Sequence, residues 1–326
     1  MPDQNPHYFT SIIVASYNRS DIICECVDAL IAQDCEPETF EIIVVDNNSS
    51  DNSVELIQQT FPELLQSKKL KLLALDYNSG SSGSYVQALS VINVDWDFVL
   101  KMDEDMVLDS SCLREMVLTA TQNNKVGMVG GKCFFYKEPE KLQTIGARFK
   151  TYFTIARSIG KNDLNHSAFD KECLIDGVSG SMFLISRQIF NEVGWFDEDY
   201  FLYYDDHDLM YKGLQAGFFN YFTPKAIGYH DTSTADFGKF RNPQWLYYSS
   251  RGGWFFLKKN FSSASLNYMI YLLSYCAKSL LILLLILLGR TGSLIISLRA
   301  FAAGHKHGIL SSNKGYFDIN QFKKVK

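Results

Sequence analysis

The first hundred residues alternate between short, nearly continuous apolar runs and longer polar stretches with helical periodicity. Phe9 to Ala15 (FTSIIVA) and Phe40 to Val45 (FEIIVV) are rich in β-branched residues and too short for helices, so both predict strands buried on two faces. Between them, Asp21 to Gln33 predicts a helix with Ser20 as its N-cap, which completes a βαβ unit. The alternation continues with a helix at Asp51 to Gln59, a strand at Leu70 to Leu75, a helix at Ser84 to Asn93 and a strand at Trp96 to Met102. Such an order predicts an α/β fold whose mostly parallel sheet is covered by helices on both faces. Ligands of these sheets bind beyond the carboxyl ends of the strands. Four polar clusters fall there: Ser16-Tyr17-Asn18-Arg19, Asp46-Asn47-Asn48, Asn78-Ser79-Gly80 and Asp103-Glu104-Asp105.

The pattern changes near the end, where Leu266 to Leu288 is almost wholly apolar. A membrane-spanning helix needs about 20 apolar residues, and this stretch reaches that length only by including Lys278 near its middle. An interfacial helix, continued by Leu294 to Ala303 and flanked by basic residues, accommodates the lysine, and a soluble helical cap is the other reading. Acidic residues concentrate up to Asp236, whereas lysines and arginines crowd the segment from Lys258 to Lys326. The shift predicts a boundary, with residues 1–240 as the catalytic domain and 241–326 as a helical, membrane-associating region.

Composition narrows the class of partner. With 47% hydrophobic and 21% charged residues the chain reads as folded throughout. A net charge of −5 supplies no global basic field for nucleic acid. The seven cysteines form no C-x-x-C pair, and Cys24 and Cys26 sit two apart on a predicted helix, on different faces, so reduced thiols are expected and no zinc site. The N-terminal MPDQNPHYFT has acids and prolines in place of a basic stretch and an apolar run, which places the catalytic part in the cytoplasm by expectation.

The chemistry concentrates in two acidic clusters. Asp103-Glu104-Asp105 closes a predicted strand, where carboxylates can meet a hard divalent cation that bridges two phosphates. Asp-x-Asp is also common in solvated loops, and its placement after WDFVLKM is what distinguishes it. Asp46 fits a base or ribose contact, or an Asx-turn opening the next helix. Tyr17 fits a base-stacking ring or a strand-end aromatic of the core. Arg19 suits a phosphate or an acid at the sheet edge equally. Gly80 and Gly83 precede a helix in NSGSSGS, a spacing that is neither a dinucleotide fingerprint nor a P-loop. The second cluster, Tyr203-Tyr204-Asp205-Asp206-His207-Asp208, leads into LMYKGLQAG, and a carboxylate there is placed to take a proton from a hydroxyl; helix capping accounts for one of these acids but not readily for three. His230, before Asp231, offers an imidazole to a metal.

In order along residues 9–255, SIIVASYNR, EIIVVDNNSSDNS, NSGSSGS, KMDEDMVLD, DGVSGSMFLISR, VGWFDEDYFLYYDDHDLMYKGLQAG, YHDTST and WLYYSSRGG resemble the family 2 glycosyltransferases of the GT-A fold. The resemblance implies a Rossmann-like nucleotide-diphospho-sugar transferase fold and inversion at the anomeric carbon. It makes Asp206 the general base, with Asp205 supporting, and Asp105 the principal ligand of a Mn2+ or Mg2+ ion, joined by His230 and Asp103. Asp46 becomes a base-recognition residue and Asp103 a nucleotide or ribose contact, and Asp208 also supports the general base; Tyr17, Arg19, Asn78 and Gly80 complete the expected donor contacts, and Trp195 and Asp208 are the expected acceptor contacts. The YYDDHD block, His230 and YYSSRG are most similar to bacterial galactofuranosyl- and rhamnosyltransferases. Arg251-Gly252 departs from the family's usual Arg-Asn, and Trp195 stands where a small residue is frequent, as an acceptor-stacking wall or as a filler of the core. The expected partners are a nucleotide-sugar donor, a lipid-linked glycan acceptor and the cytoplasmic face of a bacterial membrane, with no nucleic acid and with room for a homo-oligomer. A noncatalytic sugar-nucleotide-binding subunit and a nucleotide-sugar hydrolase are the competing functions.

Overall fold

The structure is a computed structural model that describes residues 8–150, 155–164, 166–232, 242–288 and 294–310. The first half is the expected alternation: β1 (Thr10–Ser16), α1 (Ile23–Ile31), β2 (Phe40–Asp46), α2 (Ser53–Thr60), α3 (Pro62–Gln66), β3 (Leu70–Ala74), α4 (Gly80–Ala88) and β4 (Phe98–Asp103). Next come β5 (Met106–Leu108), α5 (Cys112–Ala120), β6 (Val126–Phe135), β7 (Glu138–Thr144), β8 (Gly146–Lys150), β9 (Ile155–Ile159), β10 (Cys173–Ile175), β11 (Met182–Ser186), α6 (Arg187–Val193), α7 (Asp205–Gln215) and β12 (Phe219–His230). Three helices end the chain: α8 (Pro243–Asn260), α9 (Leu266–Leu287) and α10 (Leu294–Ile309).

The main sheet runs β10-β12-β6-β11-β4-β1-β2-β3. β3, β2, β1 and β4 are parallel, as are β6 and β12, while β11 is inserted antiparallel between β4 and β6. Because side chains alternate along a strand, the apolar runs supply two cores. Ile12, Val14, Ile42 and Val44 pack under α1 and α5, and Ile13, Ile43 and Val45 join Tyr85, Trp96 and Phe196 on the other face. Parallel register aligns Ser16 with Asp46 and Ala15 with Asp103, so these strand ends open on one edge.

Three boundaries differ from expectation. Ser20 does not cap α1: the helix begins at Ile23, and the Ser20 amide instead donates to Asp51 Oδ2 at 2.9 Å. Ile22 occupies the N-cap position, which leaves the Ser20 hydroxyl two residues too early to accept from the first turn. α4 begins at Gly80, four residues before the expected start, which converts the Asn78-Ser79-Gly80 cluster into the entry to a helix. Asp205, Asp206 and Asp208 lie inside the first turn of α7 and do not precede it.

α8 is stitched to the body of the domain. Asn242 Oδ1 caps it by accepting from the amides of Gln244 and Trp245. Arg251, 1% exposed, donates to the carbonyls of Asp199 and Tyr200, Lys259 pairs with Asp197 and Asp199, and Asn260 Nδ2 reaches Asp208 Oδ1. Arg251 thus braces the 197–201 loop, surrounded by Tyr247, Tyr248 and Phe255. The expected division at 240 lies in an undescribed stretch and would part α8 from the loop it holds. Ser233 and Thr234 of YHDTST, Asp236, Arg290 and the lysines from Lys314 onward also lie outside the described residues.

Candidate active site

A cleft of about 940 Å³ opens over the carboxyl ends of β1, β2 and β4, and its wall includes Tyr17, Asn78, Gly80, Asp103, Asp105, Asp205, Asp206 and His230. Eight residues singled out from sequence thus share one cavity, from five separate chain segments.

The floor is the acidic turn after β4. β5 leaves that turn and pairs antiparallel with the end of β12, which sets His230 opposite Met106 and brings its ring to Asp105. His230 Nε2 lies 3.0 Å from Asp105 Oδ1, and its Nδ1 lies 3.0 Å from Gln143 Oε1. The amide oxygen can only accept there, so it holds a proton on Nδ1 and aims Nε2 at the acids. One donor atom each from Asp103, Asp105 and His230 lies within 4.8 Å of the others. Two carboxylates and an imidazole this close form a fitting donor set for Mn2+ or a similar cation.

The charge balance around the turn fits the same occupant. Burial raises Asp103, Lys101 opposes it, and the charge of Asp105 adds to burial, leaving the group above its ordinary range. Glu104 is pushed up to about 8 by burial and by Asp105 and Asp103. Burial also acts to raise Asp105, but the hydrogen bond and charge of His230, with Arg19, outweigh it and hold the carboxyl low. Burial opposes a charged His230 as well, yet Asp105 raises it well above its ordinary value. The imidazolium and Arg19 stand in for positive charge that a cation would supply.

Arg19 meets acids and not the cleft: it is 6% exposed, with Nη1 2.9 Å from Asp105, Nε 3.0 Å from Asp21 and Nη2 3.5 Å from Asp231. Its phosphate reading therefore gives way to the sheet-edge alternative. Asp46 accepts from the amide and hydroxyl of Ser49 and is 2% exposed, so here the Asx-turn accounts for it, and its neighbour Asn47 lines the cleft in its place. Asn78 Oδ1 accepts from the Gly80 amide, and the left-handed Gly80 (φ 77°) sits against Phe201, where a Cβ would come within 2.3 Å of the Phe201 carbonyl.

Asp205 and Asp206 line the same cleft and begin α7 after a loop with three non-glycine residues at positive φ: Phe201, Tyr203 and Tyr204. Asp206 lies against Gly180, whose carbonyl Lys101 bonds, since a Cβ there would come within 2.3 Å of Asp206 Oδ2. Phe201 (φ 65°, ψ −54°) centres a γ-turn closed by the Leu202 amide on the Tyr200 carbonyl at 2.7 Å. Strain of this kind persists only where surroundings fix it, and here Arg251 and Gly80 do so. Asp206 Oδ1 lies 2.9 Å from His207 Nδ1, and its side chain is 20% exposed. Burial would raise Asp206, but the charge and hydrogen bond of His207 outweigh it and hold the carboxyl low. Asp205 is 5% exposed and pushed up, by burial first and then by the charge of Asp206. The more accessible of the two is thus the one that stays ionised.

Two expected acceptor contacts fall elsewhere. Asp208 is 1% exposed and consumed by Tyr200 Oη, Asn260 and Lys212. Trp195 packs with Trp96, Phe190 and Phe196 and donates Nε1 to the Tyr85 carbonyl at 2.8 Å. Trp96 precedes β4, so this cluster lies toward the edge opposite the cleft; the bulk of Trp195 fills core. Sequence reasoning passed over Lys101, whose Nζ is 2.5 Å from Asp103 Oδ1 and also bonds the Gly180 carbonyl. A lysine inside the apolar FVLKMD, two residues and hence one face from Asp103, was the available signal. Gln143 carried no such mark, since β7 reaches His230 only through the fold.

Comparison with known proteins converges on this region. The family described as "Glycosyl transferase family 2" matches residues 11–194. The chain is 25% identical over 192 residues to the poly-beta-1,6-N-acetyl-D-glucosamine synthase of Staphylococcus epidermidis, covering 58% of this chain and 42% of that protein. It is 30% identical over 105 residues to the poly(ribitol-phosphate) beta-N-acetylglucosaminyltransferase TarS of Staphylococcus aureus, covering 32% of this chain and 18% of that protein. The chain thus spans less than half the length of these curated relatives. Among solved structures, the mannosyltransferase PcManGT from Pyrobaculum calidifontis, in complex with GDP-Man and Mn2+, superposes with a TM-score of 0.58 at 15% identity, covering 99% of this chain and 80% of that one. The fold is that of the GT-A glycosyltransferases.

Proposed function

This chain belongs to glycosyl transferase family 2, and we propose that it transfers a sugar from a nucleotide-diphosphate donor to a hydroxyl of a cell-surface glycan. The observation that carries the reading is the convergence of Asp103, Asp105 and His230 in one cleft with the ionised, partly exposed Asp206. Asp103, Asp105 and His230 would hold a divalent cation, which supplies positive charge to the departing diphosphate. Tyr17, Asn78 and Gly80 line the donor end. Asp206 takes the proton of the acceptor hydroxyl as its oxygen bonds to the anomeric carbon; the bond to the diphosphate breaks and the configuration inverts. Lys101 holds Asp103 in place and Asp205 supports the loop.

The finer reading is UDP-galactofuranose as donor and a lipid-linked acceptor, supported by the YYDDHD block, with dTDP-rhamnose as the alternative. The relatives named for N-acetylglucosamine transfer favour a second donor class, nucleotide-activated N-acetylglucosamine. Purified protein given each donor with Mn2+, with and without lipid-linked glycan, separates these by product mass. Donor consumption that ignores the acceptor would indicate a hydrolase, and none with any donor a noncatalytic subunit.

The membrane reading rests on α9. Among the described residues it is the one helix long and apolar enough to cross a membrane, with a mean hydropathy of 2.2. Leu273, Leu280, Leu281, Leu284 and Leu287 are each about half exposed or more on its outer side, and Leu294, Ile295 and Ile309 of α10 extend the patch. Its inner side packs on α8 through Tyr271 and Tyr275. An apolar outer face over a packed inner one suits a helix lying in the interface, on the side where the donor is made.

A further inference from the structure

The only charge within α9 is Lys278, and its position on the helix is not random. Tyr271, Tyr275 and Ile282 form the buried stripe of the helix, at spacings of seven, three and four residues from Lys278. Lys278 therefore borders their inward face, half-buried, with the exposed Leu281 on its other flank. Its Nζ donates to Tyr204 Oη at 3.4 Å and lies 5.9 Å from the centroid of that ring.

Tyr204 is the residue that immediately precedes α7, held at φ 73°. Its ring lies 5.7 Å from that of His207, which bonds Asp206 Oδ1, and 6.0 Å from that of Phe256 on α8. Gly252 makes room for it: a Cβ there would stand 3.0 Å from Tyr204 Cδ2. That close approach accounts for glycine after Arg251, where the family pattern has asparagine. A continuous path of side chains thus runs from the apolar helix to the Asp206 carboxylate.

We propose that Lys278 is a positioning residue that makes the order of the 201–208 loop, and through it the placement of Asp206, depend on the seating of α9 at a lipid surface. The inference rests on the membrane and general-base readings above. Seating α9 surrounds its outer leucines with acyl chains and leaves the ammonium one polar direction, toward Tyr204. Free in water, the same ammonium has solvent as a competing partner, and the loop with its three strained residues loses a tether.

The test is hydrogen–deuterium exchange of the full chain, with and without vesicles of phosphatidylcholine and phosphatidylglycerol. In the unaltered protein, vesicles should slow exchange of the 201–208 amides by roughly tenfold. Lys278→Arg should keep that response. Lys278→Met, which removes the charge and suits the apolar helix, should lose it while still binding vesicles, and Tyr204→Phe should lose it from the other end. Turnover in Lys278→Met and Tyr204→Phe, but not in Lys278→Arg, should fall by roughly tenfold with the KM for donor nearly unchanged. Vesicle protection in Lys278→Met equal to that of the unaltered protein overturns the proposal, as does an unaltered protein whose loop ignores vesicles. An Asp206→Asn control separates the two ideas. If it retains turnover while the exchange results hold, the base assignment fails alone; if it loses turnover while Lys278→Met exchanges normally, this inference fails alone.

Discussion

Lys101→Met removes a buried ammonium while keeping an unbranched chain of similar length. Lys101 is 4% exposed, and its head lies between Asp103 at 2.5 Å and the Gly180 carbonyl, close enough to Asp205 for that charge to act on it. Asp103 keeps 32% of its side chain exposed to the cleft, so losing its buried counterion should cost less than breaking a fully buried pair, about 1–3 kcal/mol. The loss should depend on pH with a defined sign. Asp103 is already raised by burial, and losing Lys101 raises it further, so the folded variant binds a proton that the unfolded chain releases. The variant should therefore be closest to the parent at low pH and fall away as pH rises through the folded pKa of Asp103. Thermal melts of both proteins between pH 5 and about 8 measure this, and Lys101→Met with Asp103→Asn should recover much of the loss. A variant that melts with the parent at every pH, or whose deficit is largest in acid, would refute the assignment of Lys101 as counterion.

Asp206→Asn should lower acceptor-dependent transfer by roughly 10²-fold or more with donor affinity preserved, whereas Asp205→Asn should disturb the loop with a smaller effect on turnover. The pH profile distinguishes them independently: with Asp206 held down to about 2, kcat shows no acid limb from the base between pH 5 and about 8, whereas Asp205, pushed up to about 7, would give a rate that falls as pH drops below neutrality. Leu280→Glu with Leu284→Glu on the outer face of α9 should release the chain from vesicles without altering its circular dichroism. Deleting everything after Asn260 is a coarser test, because it also strips Tyr271 and Tyr275 from the core. Trp195→Ala should cost about 3 kcal/mol of stability and leave the KM for acceptor unchanged.

The strands and the edge they open on were legible because continuous β-branched runs admit few other structures, and register then follows from the parallel sheet. The candidate metal-binding group was legible in part from position, since Asp103 and Asp105 lie at the end of a strand, but His230 needed the family likeness. Trp195 and Asp208 misled for a shared reason: an aromatic or an acid beside a catalytic motif looks the same in sequence whether it faces the cleft or the core. Only the path of the chain separates Asp206, partly exposed at the start of α7, from Asp208, turned inward onto Tyr200. Lys278 is the reverse case, an anomaly in the apolar pattern whose explanation lies in the 204 loop, more than 70 residues earlier.

The central claim is that Asp103, Asp105 and His230 bind the cation that receives the donor diphosphate. Calorimetric titration of UDP into the protein, with Mn2+ and with chelator, tests it without knowledge of the sugar or acceptor. The unaltered protein should bind UDP with Mn2+ and lose most of that affinity with chelator, and Asp105→Ala and His230→Ala should weaken Mn2+-dependent binding by roughly tenfold or more. UDP affinity that is the same with Mn2+ and chelator, or Mn2+ stimulation that survives Asp105→Ala intact, would contradict it.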